Sequence, residues 1–304
     1  MQTKLRDVEY FAAIAEHGQV QRAAIALGLS QPALSKGLRR LEEAMKAKLL
    51  KRTPKGVELT SVGAALLAQV GKLRLSMEDM AREIFDLSEG RVGHLRIGIG
   101  AQHQAELVPM ACAALLKEAP RVTMEISVGS MDVIAPALLR GELDLIVTGN
   151  AMIGRDDLMR EQLTEDEVVV YASVNHRLAR KKHVSLAELV EERWALTKTG
   201  VSQARLRSVF AKAGLPPPKV AVEENAGDFR RNFLPMTDLL GFGRKQQFGS
   251  GRSRGRLVEL PVKGLSSRQS TDVCYRKNAY LSPAARRFIE ILKAMAKKIA
   301  GQKR

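Results

Sequence analysis

Four polar side chains at helical spacing within residues 31–39 could read a nucleic acid. Gln31, Ser35, Lys36 and Arg39 offer an amide, a hydroxyl and two cations along one side of a potential helix. Amides, hydroxyls and cations can hydrogen-bond base edges in the major groove of DNA, and cations also bind phosphates. The segment therefore predicts a helix that contacts double-stranded DNA. The alternative is an ordinary amphipathic surface helix.

The residues around those side chains predict the helix that presents them. Ser30 can cap its first turn, and Pro32 fits there because the N–H that proline lacks would have no partner in that turn. Three leucines at spacings of four and three form its apolar face: Leu34, Leu38 and Leu41. We therefore predict a recognition helix over residues 31–43.

Two shorter segments upstream complete a DNA-binding motif. Apolar residues recur at helical spacing over residues 5–15, and Gly18 closes that helix. Residues 20–27 predict a second short helix, which ends at Gly28. Two helices joined by a tight glycine turn, the second with a polar free face, make a helix-turn-helix.

Residues 49–60 predict a β-hairpin, or wing, beside the recognition helix. Two short extended runs flank Thr53-Pro54-Lys55-Gly56, a sequence typical of a turn. Arg52 and Lys55 would lie near its tip, where cations reach phosphates or the minor groove. Residues 1–60 contain eleven Lys or Arg and six Asp or Glu, so the segment is basic.

A long apolar seam follows the wing. Its residues alternate spacings of three and four over about four heptads: Leu59, Val62, Leu66, Val70, Leu73, Met77, Met80, Ile84 and Leu87. Such a seam is typical of a helix paired with another helix. We predict a linker helix over residues 61–90 that joins two copies into a homodimer. The alternative is a helix that packs only on its own domain.

From residue 92 onward, strand-like apolar segments alternate with helical segments. Strands are predicted over 94–100, 122–128, 143–149, 168–173, 194–197, 220–224, 239–242, 257–262 and 272–275. Helices are predicted over 104–117, 132–140, 185–192, 202–213, 226–234 and 282–299. This alternation is typical of parallel sheets, and two such runs predict two α/β lobes.

The N-terminal motifs resemble the LysR-type transcriptional regulators of bacteria. The resemblance is carried by Ala23-Ala24, Leu27, Ser30–Ser35, Leu41-Glu42, Leu49–Arg52 and Leu59–Gly63. There are two departures. Gln19 stands where the family usually has a capping serine, which predicts a less well capped second helix. Lys46 replaces the usual glycine, so it must adopt a left-handed backbone or let the recognition helix run on.

The resemblance implies an α/β protein with an N-terminal winged helix-turn-helix over 1–60, a long linker helix, and a two-lobed effector domain over 91–304. The effector domain would share the architecture of periplasmic binding proteins. Lobe I would comprise residues 91–163 and 269–304, and lobe II residues 164–268, with a hinge at the two crossings. The resemblance also implies a homotetramer, and RNA polymerase is counted among the candidate partners.

A small-molecule effector is expected in the cleft between the lobes, beyond the carboxyl ends of the strands. The candidate effector-binding residues are Gln102, His103, Ser130, Met131, Thr148, Gly149, Thr199, Val201 and Ser202. Ser130 and Ser202 begin predicted helices, and helix N-termini favour anions. We therefore expect a small organic anion. The alternative is that these two serines only cap their helices.

For DNA, the candidates for base contacts are Gln31, Ser35 and Lys36, with Pro32 placed to touch a thymine methyl group. The candidates for phosphate contacts are Arg39, Arg52 and Lys55. These residues predict a ligand-responsive transcriptional regulator that reads a two-fold symmetric site. The alternative is an architectural protein that binds any DNA duplex and has a structural α/β domain.

The composition of the chain bears on its partners and its cellular location. The 304 residues carry a formal net charge of +16, and residues 241–304 hold sixteen basic and three acidic residues. That basic excess either touches flanking DNA or, as we favour, serves solubility. Cys112 and Cys274 stand in apolar surroundings, which indicates reduced thiols and a cytoplasmic protein. No membrane span or signal peptide is expected.

Enzymatic signals are weak. Gly98 and Gly100 follow a strand, but His103 stands where a dinucleotide fingerprint needs its third glycine. Ser202 lies in a segment close to a hydrolase nucleophile elbow, without a supporting histidine pattern. The five histidines lack metal-ligand spacing. We therefore expect no catalytic site, no metal and no cofactor.

Overall fold

The computed structural model describes residues 4–89, 93–100, 107–149, 156–198, 201–224, 227–245 and 255–301. The chain forms two compact units, Met1–Arg82 and Glu83–Arg304. The boundary between the units falls inside the long helix rather than at either of its predicted ends.

The first unit is a winged helix-turn-helix. Its elements are α1 Leu5–His17, α2 Val20–Ala26, α3 Gln31–Met45, β1 Leu50–Thr53, β2 Gly56–Leu59 and the first part of α4 Ser61–Glu89. Strands β1 and β2 pair antiparallel. The two predicted helices, the recognition helix and the hairpin are confirmed to within about two residues at each end.

Local signals at the helix ends act as the sequence predicts. Gly18 ends α1 in the left-handed conformation with φ 67°, and the Ser30 hydroxyl accepts the Ala33 N–H at 3.4 Å. Gln19 precedes α2 without a side-chain capping bond. Lys46 takes the left-handed conformation with φ 52°, so α3 ends there instead of running on.

Helices α1 and α3 pack face to face around Phe11, Leu34 and Leu41, all of which are fully buried. Their close approach requires Gly37, because a Cβ there would lie 2.5 Å from the Tyr10 ring. The sequence did not predict this glycine's role. Its consequence is that α3 stands rigidly on α1.

The second unit contains β3 to β11 and α5 to α10. The strands are β3 His94–Gly100, β4 Thr123–Gly129, β5 Leu145–Gly149, β6 Leu158–Ser173, β7 Arg193–Thr197, β8 Lys219–Glu224, β9 Leu240–Arg244, β10 Leu257–Glu259 and β11 Ser267–Arg276. The helices are α5 Leu107–Glu118, α6 Met131–Leu139, α7 Leu186–Val190, α8 Val201–Lys212, α9 Gly227–Phe233 and α10 Pro283–Gly301.

These strands form one mixed sheet in the order β4-β3-β5-β11-β6-β9-β7-β8, with β10 paired to β6. The prediction of purely parallel sheets was therefore wrong. The strands β3, β4 and β5 are parallel, and so are β7, β8 and β9. Strands β6 and β11 run antiparallel to each other and to their outer neighbours, so they join the two parallel sets.

The two joining strands are longer than the sequence predicted. Strand β6 has 16 residues and β11 has 10, whereas only residues 168–173 and 272–275 were predicted as strand. The additional residues of β6 include the largely polar run 159–167, most of which is exposed or half-buried. A criterion based on continuous apolar runs misses such a strand, because only one of its faces is covered.

Each parallel set has its own core. One core includes Leu95, Leu145 and Phe288, and the other includes Trp194 and Phe210. The predicted lobe boundaries at 163/164 and 268/269 fall inside β6 and β11. The chain therefore passes between the lobes along two paired strands.

Both cysteines are free thiols. Burial raises the pKa of Cys274 to about 12 and also raises the pKa of the half-buried Cys112. Both groups are therefore protonated and unreactive at neutral pH. Within the described residues, no helix is both long and apolar enough to span a bilayer.

Candidate nucleic-acid interface and ligand cleft

The free face of α3 carries the predicted base-reading side chains. Gln31, Pro32 and Lys36 are exposed and Ser35 is half-buried, whereas Leu34 on the opposite face is fully buried. Lys36 forms no salt bridge with any residue in the described part of the chain. Its ammonium group is therefore available to a base or a phosphate.

Arg39 lies on the same helix but has a partner. Its Nε lies 2.8 Å from Glu43 Oε1, and the two side chains are 80% and 61% exposed. An exposed pair of this kind contributes at most about 1 kcal/mol, so a DNA phosphate can replace Glu43. The predicted phosphate contact of Arg39 is compatible with this geometry.

The wing is attached to the end of α1. The Val57 N–H donates to the Gly18 carbonyl at 2.9 Å, and a Cβ at Gly56 would lie 2.2 Å from that carbonyl oxygen. Arg52 on β1 and Lys55 in the turn are both exposed. The two predicted wing cations therefore project from a hairpin that is held against the helices.

A buried carboxylate connects α3 to the wing. Glu42 accepts the backbone N–H of Leu49 at 2.9 Å and that of Leu50 at 3.5 Å, and it pairs with Lys48 Nζ at 2.6 Å. Burial alone would raise the pKa of Glu42, but these three hydrogen bonds outweigh it and hold the pKa below its usual value. The ionised form of Glu42 therefore stabilises the folded state.

Replacing Glu42 with glutamine should destabilise the first unit at pH 7 by about 1–3 kcal/mol, because the charge-assisted bonds are lost. The lowered pKa fixes the sign of the pH dependence. In the wild type the contribution is complete above the unfolded pKa of about 4.3, and it is lost as the pH falls through the folded pKa.

Thermal unfolding from pH 7 to pH 3, followed by far-UV circular dichroism, checks this prediction. The matched control is Glu43→Gln, which removes the same charge from the exposed neighbouring residue. Equal melting temperatures for the two variants at pH 7 would contradict the role of Glu42.

Part of the predicted ligand cleft lies where the strands of lobe I end. Thr148 and Gly149 close β5, while Ser130 and Met131 follow β4 at the start of α6. The Thr148 hydroxyl donates to the Met131 sulfur at 3.0 Å, so these two turns are in contact. The structure therefore brings together four of the nine predicted effector-binding residues.

Ser130 has a local partner. Its hydroxyl hydrogen-bonds the Asp132 carboxylate and holds the pKa of Asp132 below its usual value. The side chain forms no capping bond to α6. An acidic group therefore stands in the first turn of this helix, beside the position where an anion was expected.

The remaining effector candidates are less well described. Gln102, His103 and Thr199 lie outside the described residues. Val201 and Ser202 are the first two residues of α8, and their side chains also lie outside the description. Their roles stay predictions.

The sequence interpretation missed Arg244, the last residue of β9 and only 4% exposed. Its Nη2 donates to the Ser270 carbonyl at 2.6 Å, and its Nη1 donates to the Thr271 hydroxyl at 2.9 Å. A Cβ at Gly149 would lie 2.3 Å from Nη2. A charged residue at the end of the apolar run 239–243 was the signal that could have identified it.

A second buried arginine belongs to lobe II. Arg230 on α9 is 1% exposed, donates to the Thr197 hydroxyl at 3.1 Å, and pairs with Glu224 at 3.4 Å. Burial raises the pKa of Tyr171 beside it, against the opposing effect of Arg230. The charge of Arg230 is thus matched by a carboxylate within the same lobe.

Lobe II also has a cavity of about 690 Å³ at the amino-terminal ends of β7 and β9, lined by His176, Glu192 and Thr237 among others. His176 Nδ1 accepts the Leu178 N–H at 3.1 Å, so the proton of the neutral ring lies on Nε2, 3.1 Å from the Asp238 carbonyl. The four effector candidates that the structure describes, Ser130, Met131, Thr148 and Gly149, do not line this cavity.

Comparison with known proteins identifies both parts of the chain. Residues 5–64 match the bacterial regulatory helix-turn-helix protein family of lysR type, and residues 88–297 match the LysR substrate binding domain. The chain belongs to the LysR family. It is a ligand-responsive, DNA-binding transcriptional regulator with a two-lobed effector domain, and its relatives are regulators rather than enzymes.

Individual LysR relatives cover most of its length. The transcriptional regulator ShiR of Corynebacterium glutamicum is 32% identical over 219 residues, 70% of this chain and 74% of that protein. GbpR of Azospirillum brasilense is 25% identical over 295 residues, 96% of this chain and 86% of that protein. Full-length CbnR, solved with its target DNA, has 18% identity and a TM-score of 0.58, covering 96% of this chain and 99% of CbnR.

The LysR membership confirms the resemblance identified from residues 23–63 and the predicted fold class. It also disfavours the architectural alternative, because the second unit is a ligand-binding domain of a regulator. Regulators of this family bind DNA and small-molecule effectors and form oligomers.

Proposed function

We propose that this regulator reads a two-fold symmetric DNA site through α3. The observation that carries the proposal is the free face of α3. There an exposed amide and an exposed ammonium group, which forms no salt bridge with the described residues, lie opposite a buried apolar face. Gln31, Ser35 and Lys36 would contact bases, and Pro32 would contact a thymine methyl group. Arg39, together with the wing cations Arg52 and Lys55, would bind phosphates.

The exposed seam of α4 supports a homodimer. Its first part is occupied within the chain, because Leu66 and Val70 pack on the core of the first unit. Further along, Met77, Met80 and Ile84 are 44%, 53% and 65% exposed. Exposed apolar residues in a sustained heptad pattern are typical of a coiled coil, so we propose α4 of a second copy as the partner.

Two dimers would join through the effector domains into a homotetramer. An organic anion bound between the lobes would favour one of two arrangements of that tetramer and change the bend of the bound DNA. RNA polymerase is a further proposed partner. The proposed location is the cytoplasm, where a bacterial regulator meets its DNA.

DNase footprinting of the full-length protein on genomic fragments tests the DNA-binding proposal. We expect protected sites with two-fold symmetry whose half-sites lie about 10 base pairs, or a multiple of that, apart. Uniform protection of all fragments at similar protein concentrations would contradict sequence-specific reading.

Replacing Lys55 with alanine should weaken binding to all DNA sequences about equally, because this wing cation is proposed to contact a phosphate. The slope of log K against log salt concentration should become shallower by about one. Fluorescence anisotropy from 50 to 250 mM salt, with a cognate and a random duplex, measures both effects. Lys117→Ala removes an exposed lysine from α5 and serves as the control; an equal change of slope in that variant would contradict the prediction.

A further inference from the structure

Arg244 is a buried cation without a contacting counter-ion among the residues that the structure describes. Its guanidinium donates to the Ser270 carbonyl, the Thr271 hydroxyl and, at 3.5 Å, the Gln269 carbonyl. All three are neutral oxygen atoms, and Arg244 forms no salt bridge within the described part of the chain. Its Nε is buried and has no hydrogen-bond partner among those residues. Buried charges in folded proteins are usually paired, because removing a charge from water is costly.

The nearby carboxylates do not cancel this charge by contact. Asp272 is occupied by Arg160, whose Nε lies 2.8 Å from its Oδ2. Burial lowers the pKa of Arg244, and Asp166 and Asp272 oppose that shift only through longer-range attraction. The guanidinium therefore retains the capacity to bind one more anionic group.

The location of Arg244 is where a ligand site is expected. It ends β9 of lobe II, and Gly149 ends β5 of lobe I. Its Nη2 occupies space that any side chain at position 149 would need, since a Cβ there would lie 2.3 Å away. The guanidinium thus bridges the carboxyl ends of two strands from different lobes, the edge at which α/β sheets bind ligands.

Other described groups at this edge are less suited to an anion. The Ser130 hydroxyl is bound to the Asp132 carboxylate, which places negative charge at the start of α6. Thr148 is 3% exposed and donates to the Met131 sulfur. Among the described residues at the ends of β4, β5 and β9, Arg244 is the group best suited to bind an anion.

We propose that Arg244 binds the carboxylate or phosphate group of the effector through its Nε–H and the adjacent Nη2–H. This pair of donors suits two oxygen atoms of one anion. The inference rests on the proposed function, in which the effector lies between the lobes. Gly149 makes the arrangement possible because it leaves room for the guanidinium.

The same residue couples the site to the hinge. The Nη groups of Arg244 hold Ser270 and Thr271 on β11, where the pairing with β6 shifts register between Thr271 and Asp272. Its Nε–H is shielded from solvent in this arrangement, so anion binding at Nε requires the groups packed around Arg244 to rearrange.

The test compares full-length wild type with Arg244→Gln by thermal shift. The probes are succinate, benzoate and inorganic phosphate at constant ionic strength, with chloride as the reference. For the wild type we expect at least one anion to raise the melting temperature by about 5–10 °C at a concentration roughly a hundredfold above its dissociation constant. Arg244→Gln should lose most of this shift.

Lys245→Gln is the matched control. It removes the same charge from the next residue, whose side chain is 52% exposed and pairs with Glu259. This variant should respond to anions as the wild type does. Gly149→Ala keeps the net charge but displaces the guanidinium, and it should also lose the response.

Two results would overturn the proposal. The first is an anion-induced rise in melting temperature that is as large in Arg244→Gln as in the wild type. The second is a wild type whose melting temperature is no higher with any of the three anions than with chloride. Footprinting of the same samples separates this inference from the proposed function. If Arg244→Gln keeps the wild-type anion response while the wild type gives a two-fold symmetric footprint, only the role of Arg244 is ruled out. If the wild type gives no footprint, the proposed function itself is ruled out.

Discussion

Replacing Met80 and Ile84 together with glutamate should reduce the affinity for a two-fold symmetric site by about 10²- to 10⁴-fold. Both side chains are more than half exposed in the single chain, so the change is tolerated by the isolated fold. In a pair of α4 helices the seam would be buried, and facing glutamates would bring unpaired like charges into it. Each winged helix would then bind a half-site alone and lose the effective concentration supplied by its partner.

Light scattering and anisotropy on the same samples measure this effect. We expect a mass near that of one chain, 33.4 kDa, or of a pair joined only through effector domains, together with the affinity loss. Ala68→Glu places a glutamate at an exposed position of α4 outside the seam and should leave mass and affinity unchanged. A double variant that keeps both the wild-type mass and the wild-type affinity would rule out α4 as the dimer contact.

Lys36→Ala and Gln31→Ala should each weaken binding to the cognate site by about 1–3 kcal/mol and reduce the preference for it over random DNA. The physical reason is the loss of hydrogen bonds to base edges, which only the correct bases can replace. Both side chains are exposed on α3, and the apolar core behind them is untouched by either change.

Competition between a cognate and a scrambled duplex measures the preference directly. Lys51→Ala is the control within the same unit, because Lys51 pairs with Glu58 at 2.8 Å in the wing and was not predicted to face bases. Lys51→Ala should weaken binding to both duplexes by the same factor. If Lys36→Ala lost equal affinity for both duplexes, Lys36 would be assigned to a phosphate contact instead.

Signals confined to a few neighbouring residues were predicted most successfully. Ser30 caps α3 and Gly18 ends α1, as predicted. Of the two outcomes left open for Lys46, the structure shows the left-handed conformation. Each outcome depends on hydrogen bonds or backbone sterics within one turn of helix. The family motifs of the first unit are built from such local signals, which explains why 60 residues were enough to recognise them.

Long-range pairing limited the prediction of the second unit. The prediction of β6 was too short because residues 159–167 are largely polar, and their strand conformation depends on β11, about 110 residues further along the chain. The heptad seam in α4 was detected, but not its division into a part covered by the first unit and an exposed part. A periodic pattern shows that a face is apolar and does not identify what covers it.

The sequence by itself determined the recognition helix, the wing, the linker helix and the alternation of strands and helices, because caps, turns and hydrophobic periodicity are local properties. The tertiary structure alone decided that β6 and β11 link two lobes in one mixed sheet, and that the Arg244 guanidinium lies beside Gly149, 95 positions away. The environment of a charge depends on which distant strands surround it. That information lies in packing, and no short stretch of residues contains it.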